Sequence, residues 1–245
     1  MTTAATGPPW LVLPTYNEAA NLEPVVAAAR DALRSAAPEG FRIVIVDDRS
    51  PDGTGEIAER LAAEHEEVEV IHRPGKAGLG QAYLAGFGHA LRGGAGHVLE
   101  MDADLSHDPA DLRRLLGSAR EGADLVLGSR YVSGGGVREW GPLRRGLSRG
   151  GCWYARRVLG LSVRDLTGGF KCFRREVLEG IDLASIRSQG YAFQVELTYR
   201  TVRAGFRVRE IPIVFRERRS GQSKMSGRIA AEAAWLVPQM RLRRR

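Results

Sequence analysis

Asp102-Ala103-Asp104 sets two carboxylates one residue apart, directly after the apolar run Gly96–Met101. Where a chain leaves a sheet, both carboxylates can turn into one cleft. Such a pair suits a hard divalent cation, Mg2+ or Mn2+, that shares its sphere with phosphate oxygens. A bare Asp-x-Asp is more often a loop or a helix cap, but the preceding VLEM and the following Leu105-Ser106-His107-Asp108-Pro109 give this one more weight. His107 is either a further ligand or, as loop histidines more often are, structural. A second acidic cluster, Asp47-Asp48, runs into Ser50-Pro51-Asp52-Gly53-Thr54. Helix capping explains Asp52 or Thr54. It explains Asp47-Asp48 less well, and a carboxylate there can accept hydrogen bonds from a ribose or a base edge. Gly75-Lys76-Ala77-Gly78-Leu79-Gly80 lacks the Walker spacing and reads as a glycine-permitted helix entry with Lys76 near the site. Arg130, Arg144, Arg218 and Lys224 are the cations of interest, since arginine grips phosphate through its planar fork and lysine acts as a point charge. Singly, each is more often a surface charge. The adjacent glycines of Asp165-Leu166-Thr167-Gly168-Gly169-Phe170 either let backbone approach a ligand or make a plain turn.

These residues need a frame, and the apolar pattern supplies one. Trp10–Pro14, Phe41–Val46, Val68–His72, Gly96–Met101 and Asp124–Gly128 read as strands. Ala19–Ala36, Gly53–Glu64, Gly78–Leu91 and Pro109–Glu121 read as helices, the last capped by Asp108. The alternation predicts an α/β fold with a mostly parallel sheet flanked by helices. Ligands in such sheets bind beyond the C-terminal strand ends. The polar clusters follow the apolar runs at just those ends: Pro14–Glu18, Asp47-Asp48, Asp102–Asp104 and Ser129-Arg130-Tyr131. Beyond them, Ser133–Gly136 reads as a flexible connection. Arg145–Leu159 and Gly190–Ala204 read as helices, and Val208–Phe215, which contains Pro212, as an edge strand. Ser226–Gln239 has an amphipathic pattern, either packed on the domain or lying on a membrane surface.

The chain's 245 residues, 43% hydrophobic and 27% charged, describe an ordinary globular protein and exclude disorder. Its net charge of +7 conceals an asymmetry. Residues 1–122 hold 11 Lys/Arg against 19 Asp/Glu, and residues 123–245 hold 25 against 10. The basic half either meets an anion or is a solvated surface. Cys152 and Cys172 make no disulfide framework, which suits a reducing compartment. Met1 to Pro9 lacks a basic region and a long apolar stretch, so no signal peptide is expected. No run approaches the roughly 18–20 apolar residues of a membrane span.

The strings PTYNE (14–18), DDRSPDGT (47–54), GLGQAY (78–83), MDADLSHDP (101–109), GSRY (128–131), DLTGGFK (165–171), GYAFQVE (190–196), EIPIVF (210–215) and GQSKMSG (221–227) cover nearly the whole chain. Together they resemble glycosyltransferase family 2, in its dolichol- or polyprenol-phosphate mannosyltransferase branch. PTYNE and Asp-x-Asp mark the large family; MDADLSH, SPDGT and SKM narrow it to the branch. The resemblance implies a Rossmann-like nucleotide-sugar transferase fold. It implies transfer of mannose from GDP-mannose to a polyprenyl or dolichyl phosphate, with inversion to a β-D-mannosyl product and with Mg2+ or Mn2+. Pro14, Tyr16, Glu18, Val46 and Asp48 would then form the nucleoside pocket, and Asp102, Ala103 and Asp104 would hold metal and diphosphate. Ser106 stands where some relatives carry a glutamine metal ligand. Arg130, Arg144, Arg218 and Lys224 would contact donor or acceptor phosphates, with Asp104, Arg130 and Arg144 as the catalytic set. Arg49 replaces a glycine or other small residue. The expected organisation is a catalytic domain over 1–225, with a nucleotide-binding half at 10–130 and an acceptor half at 131–225, followed by a basic amphipathic segment at 226–245. The chain would be of the soluble type, peripheral at the cytoplasmic face of a membrane, where a membrane-protein partner is a further expectation. A UDP-glucose-dependent glucosyltransferase, a nucleotidyltransferase and a nucleic-acid-binding protein are the alternatives. The nucleotidyltransferase would need a glycine-rich basic loop after the first strand, and nucleic-acid binding leaves the acidic strand ends unexplained.

Overall fold

The structure, a computed structural model, describes residues 6–217 and 227–242, including side chains except those of 227–234. Strand β1 (Pro9–Thr15) is followed by α1 (Ala19–Ala36), β2 (Arg42–Asp47), α2 (Thr54–Glu64), β3 (Val68–His72), α3 (Leu79–Arg92) and β4 (His97–Glu100). Then come a 3-10 turn at Pro109–Asp111, α4 (Leu112–Arg120), β5 (Leu125–Ser129), β6 (Gly136–Val137) and α5 (Pro142–Leu159). The chain continues through β7 (Lys171–Arg174), α6 (Arg175–Gly180), α7 (Gly190–Arg203), β8 (Val208–Pro212), β9 (Val214–Phe215) and α8 (Gly227–Leu242).

Seven strands form one sheet in the order β3-β2-β1-β4-β7-β5-β8. All pairings are parallel except those of β7, which runs antiparallel to both β4 and β5. Strands buried on both faces send alternate side chains to opposite cores. Trp10, Val12, Val44, Val46, Val98, Leu125, Leu127 and Phe173 pack in a core with residues of α3, α5 and α7. Leu11, Leu13, Ile43, Ile45, Leu99, Val126 and Cys172 pack with those of α1, α2 and α4 on the other face. Helix α3 lies directly on β1, because a Cβ at Gly86 would stand 2.3 Å from Val12 Cγ1.

The five strands and four helices expected in residues 10–128 are present, with small shifts at their ends. The Pro109 segment begins as a 3-10 turn, capped by Asp108, which accepts from the Ala110 amide. Strand β7 was not expected. It starts opposite Glu100 at the acidic edge and runs inward, so the stretch 165–170 that leads into it lies at that edge, beside the ends of β4 and β5. The stretch 208–215 is two strands, because β8 ends at Pro212 as the outermost strand and β9 leaves to pair with β6. Ser133–Gly136 is therefore not a loose connection: Gly136 pairs with Val214, and its amide donates to Ile213 O. Helix α8 packs against α5 and α7, with Val237 buried in the core of that face. Cys152 and Cys172 are both buried free thiols.

Candidate active site

The parallel strands end together at one edge, and the loops beyond them are cross-tied. Thr15 Oγ1 donates to Asp47 Oδ1 (3.0 Å), and Asp47 also accepts from the amide and hydroxyl of Ser50. Asp47 thus braces the loop, and Asp48 lies buried beside it. Arg73 Nη1 lies 2.5 Å from Asp48 Oδ1. Burial raises the Asp48 carboxyl by more than Arg73 lowers it, so the net displacement is upward. The Glu18 amide donates to Thr54 Oγ1 and the Ala19 amide to Asp52 Oδ2, which joins the first loop to the second. Pro14 and Val46 are buried beneath, and Tyr16 is half-buried with Lys76 Nζ 3.9 Å from its ring centroid. Asn17, Arg49 and Leu105 have φ of 61°, 57° and 59°. One left-handed residue therefore sits in each loop after β1, β2 and β4, a backbone conformation that costs energy in side-chain-bearing residues and gathers at functional sites.

Beyond β4, Asp104 is buried, and both the amide and hydroxyl of Ser106 donate to its Oδ1, at 3.0 and 2.5 Å. Ser106, expected among the metal ligands, thus spends its hydroxyl proton on shaping Asp104. Asp102 and Ala103 complete the loop. Among the described residues no group of three His, Cys, Asp or Glu side chains could hold a metal. His107 is buried, its ring 4.9 Å from that of Phe170 and 5.1 Å from that of Phe215. The Ser106 carbonyl accepts from the Arg216 amide (3.0 Å), which moors the chain after β9 to the acidic loop.

Arg130 corrects a simple expectation. Its Nε and Nη2 form a bidentate pair with Asp165 at 2.7 Å each, and Nη2 also donates to Thr167 Oγ1. Its fork is therefore filled by Asp165 rather than open to phosphate, while Nη1 lies outside these bonds. Burial pushes the Asp165 carboxyl up, but Arg130's charge and the hydrogen bonds from Arg130 and Thr167 outweigh it, and the net displacement is downward. Arg144, on α5, pairs with Glu217 (2.6 Å) and lies 4.2 Å from the Trp140 ring centroid. Arg218 and Lys224 lie outside the described residues.

Sequence reasoning passed over Tyr83, Glu100, Lys171 and Gln194, all buried. Tyr83 donates to Asp102, and Lys171 pairs with Glu100 (3.2 Å) and donates to Gln194. The available signal was a charge inside each of two apolar runs, Glu100 in VLEM and Lys171 in FKCF, since buried charges need partners.

The chain is 48% identical over 236 residues to the polyprenol monophosphomannose synthase of Mycolicibacterium smegmatis, covering 96% of this chain and 87% of that protein. It is 47% identical to the undecaprenyl-phosphate mannosyltransferase of Micrococcus luteus, covering 91% and 89%. Glucosyl-3-phosphoglycerate synthase from Mycobacterium tuberculosis shares the fold, with a TM-score of 0.70 at 21% identity over 95% of this chain and 79% of that one. Structures of that enzyme hold UDP with Mn2+ or Mg2+. Residues 10–182 match Glycosyl transferase family 2, and the chain belongs to that family.

Proposed function

We propose that this protein transfers mannose from GDP-mannose to a polyprenyl phosphate with inversion, giving a polyprenyl β-D-mannosyl phosphate. The observation that carries this reading is the likeness, over nearly the whole chain, to two mannosyltransferases named for polyprenyl acceptors. The nucleoside is held by Pro14, Tyr16, Glu18, Val46 and Asp48. Asp102, Ala103 and Asp104 face the diphosphate. The donor set fits a hard divalent cation, Mg2+ or Mn2+, because it offers carboxylate oxygens at one strand end and leaves phosphate oxygens to complete the sphere. When bound, that cation neutralises charge on the departing diphosphate. Arg130 Nη1, Arg144, Arg218 and Lys224 steady the donor and acceptor phosphates, and Asp165 holds the Arg130 plane in place. A phosphate monoester has its second pKa near ~6, so the acceptor oxygen is already anionic at neutral pH and needs no protein base. A single in-line displacement follows.

A lipid acceptor requires the protein to meet a membrane. Among the described residues no helix is long and apolar enough to cross one. The peripheral reading is supported by α5, which exposes Leu143, Leu147 and Trp153 and carries five arginines without an acidic residue. Trp235 and Leu242 of α8 are also exposed.

The test is incubation of the full chain with polyprenyl phosphate and radiolabelled GDP-mannose or UDP-glucose, with Mg2+, with Mn2+ or with chelator. Label should enter lipid from GDP-mannose only, and only with metal. Asp102→Ala and Asp104→Ala should each abolish transfer. Lipid labelled from UDP-glucose alone would replace mannose with glucose, and no labelled lipid from either donor would overturn the reading.

A further inference from the structure

Tyr83 lies wholly buried on α3. Its ring stacks on Phe193 of α7, with centroids 6.1 Å apart and planes within 7°, and lies 5.7 Å from the ring of Phe87. Phenylalanine would fill that space equally well. A buried hydroxyl, by contrast, costs desolvation unless it finds an acceptor. The acceptor is Asp102, whose Oδ1 lies 3.0 Å from the hydroxyl.

Gly169 and Gln194 border the same carboxylate: a Cβ at Gly169 would stand 3.5 and 3.6 Å from the two Asp102 oxygens, an ordinary contact, and 3.2 Å from Gln194 Nε2. The Gln194 side chain accepts from Lys171, whose ammonium also lies 3.2 Å from Glu100, two residues before Asp102. Tyr83, Glu100, Gly169, Lys171 and Gln194 are buried, and Asp102 is half-buried. A carboxylate at a cleft edge samples several rotamers, and a ligand that needs one of them must offset the ordering cost. A hydroxyl on a ring locked between two other rings removes that cost in advance, as outer-shell partners do for metal-binding side chains.

We propose that Tyr83 is a positioning residue for the transfer reaction, its hydroxyl fixing the Asp102 carboxylate in the orientation that serves the donor's cation and diphosphate. The inference rests on the transferase reading above and deepens it. Tyr83→Phe keeps the ring and removes only the hydroxyl. Mn2+ binding is measured by electron paramagnetic resonance and calorimetry on the full chain with GDP present, in wild type, Tyr83→Phe, Asp102→Asn and the double variant. Phe193→Leu, which loosens the stack and keeps the hydroxyl, is the packing control. Tyr83→Phe should raise the Mn2+ dissociation constant about tenfold or more, leave GDP binding without metal unchanged, and add nothing further on the Asp102→Asn background. Unchanged Mn2+ affinity in Tyr83→Phe would overturn the inference alone. So would an equal loss on the Asp102→Asn background, or a larger loss in Phe193→Leu than in Tyr83→Phe. Wild type that takes up no Mn2+ with GDP would overturn the transferase reading and the inference together.

Discussion

Arg49 is exposed in the loop after β2 with φ 57°, a conformation that glycine adopts without strain. This gives a physical reason for the small residue that the family resemblance leads one to expect there. The left-handed backbone costs a side-chain-bearing residue about 1–2 kcal/mol, and glycine's greater chain entropy returns about 0.5–1 kcal/mol of that. Arg49→Gly should therefore raise stability by about 0.5–1 kcal/mol, seen as a higher urea midpoint at unchanged slope. A lower midpoint would mean that the Arg49 side chain makes a stronger contact than its exposure suggests. Arg130 makes the opposite point. Charge type alone marks it as a phosphate grip whose removal leaves the fold intact, yet its partner Asp165 lies 35 positions away and fills its fork. Removing one member of a buried pair costs about 3–5 kcal/mol, so Arg130→Ala should lose stability as well as activity. The sign with pH follows. In wild type the folded Asp165 carboxyl is depressed, so its contribution is present above the unfolded pKa and lost as pH falls through the folded one. Without Arg130, burial alone raises that carboxyl, and the folded state gains from protonation. The stability deficit of Arg130→Ala relative to wild type should therefore shrink as pH falls through the raised pKa of that carboxyl, measured by denaturation at a series of falling pH values. A constant deficit would mean that the ion pair is not its source.

At the scale of elements, β7 carries the least local information and holds the centre of the sheet together. Its register sets Lys171 opposite Glu100 of β4, and both side chains are fully buried. Lys171→Met leaves Glu100 buried without its counter-charge and should cost about 3–5 kcal/mol, whereas Lys171→Met with Glu100→Gln should recover much of that. Urea unfolding of both variants checks it, and equal losses would show that the pair does not couple β4 to β7. The strands β1 to β5 and helix α1 were legible because apolar runs and helical periodicity are properties of neighbouring residues. Strand β7 was not: it is four residues long, bears a charge at each end, and draws its apolar environment from β4 and β5. The acidic loop was legible for the same local reason, since its carboxylates follow directly on β4. Its supporting residues Tyr83, Lys171 and Gln194 come from α3, β7 and α7, and no short window contains them.

At the scale of the molecule, the charge asymmetry follows the architecture. The acidic first half builds β1 to β4 and their helices, where the nucleoside and cation are proposed to bind. The basic second half builds α5, α7 and α8. Helix α8 has two faces that play different parts. Val237 is buried and Met240 packs against the same core, while Trp235 is 72% exposed. Ending the chain at Gly227 would therefore strip part of a core along with any membrane contact, and lost binding could not be assigned to either cause. Point changes on the exposed faces avoid this. Leu147→Glu and Trp153→Glu on α5, and Trp235→Glu on α8, alter exposed residues and should change stability by no more than about 0.5 kcal/mol each. Basic residues near an anionic leaflet gain about 1 kcal/mol each, and exposed tryptophan favours the membrane–water boundary. Co-sedimentation with vesicles of neutral or anionic lipid, at about 0.1 M and about 1 M salt, separates the two contributions, because the higher salt shortens screening from about 10 Å to about 3 Å. Wild type should bind anionic vesicles more tightly than neutral ones and lose most of that difference at high salt. The α5 variants should bind less at both salts, since they remove apolar surface as well as adding negative charge. A Trp235→Glu chain that loses binding while both α5 variants keep it would assign the contact to α8. Wild-type binding insensitive to both lipid charge and salt would remove the arginines of α5 from the contact altogether.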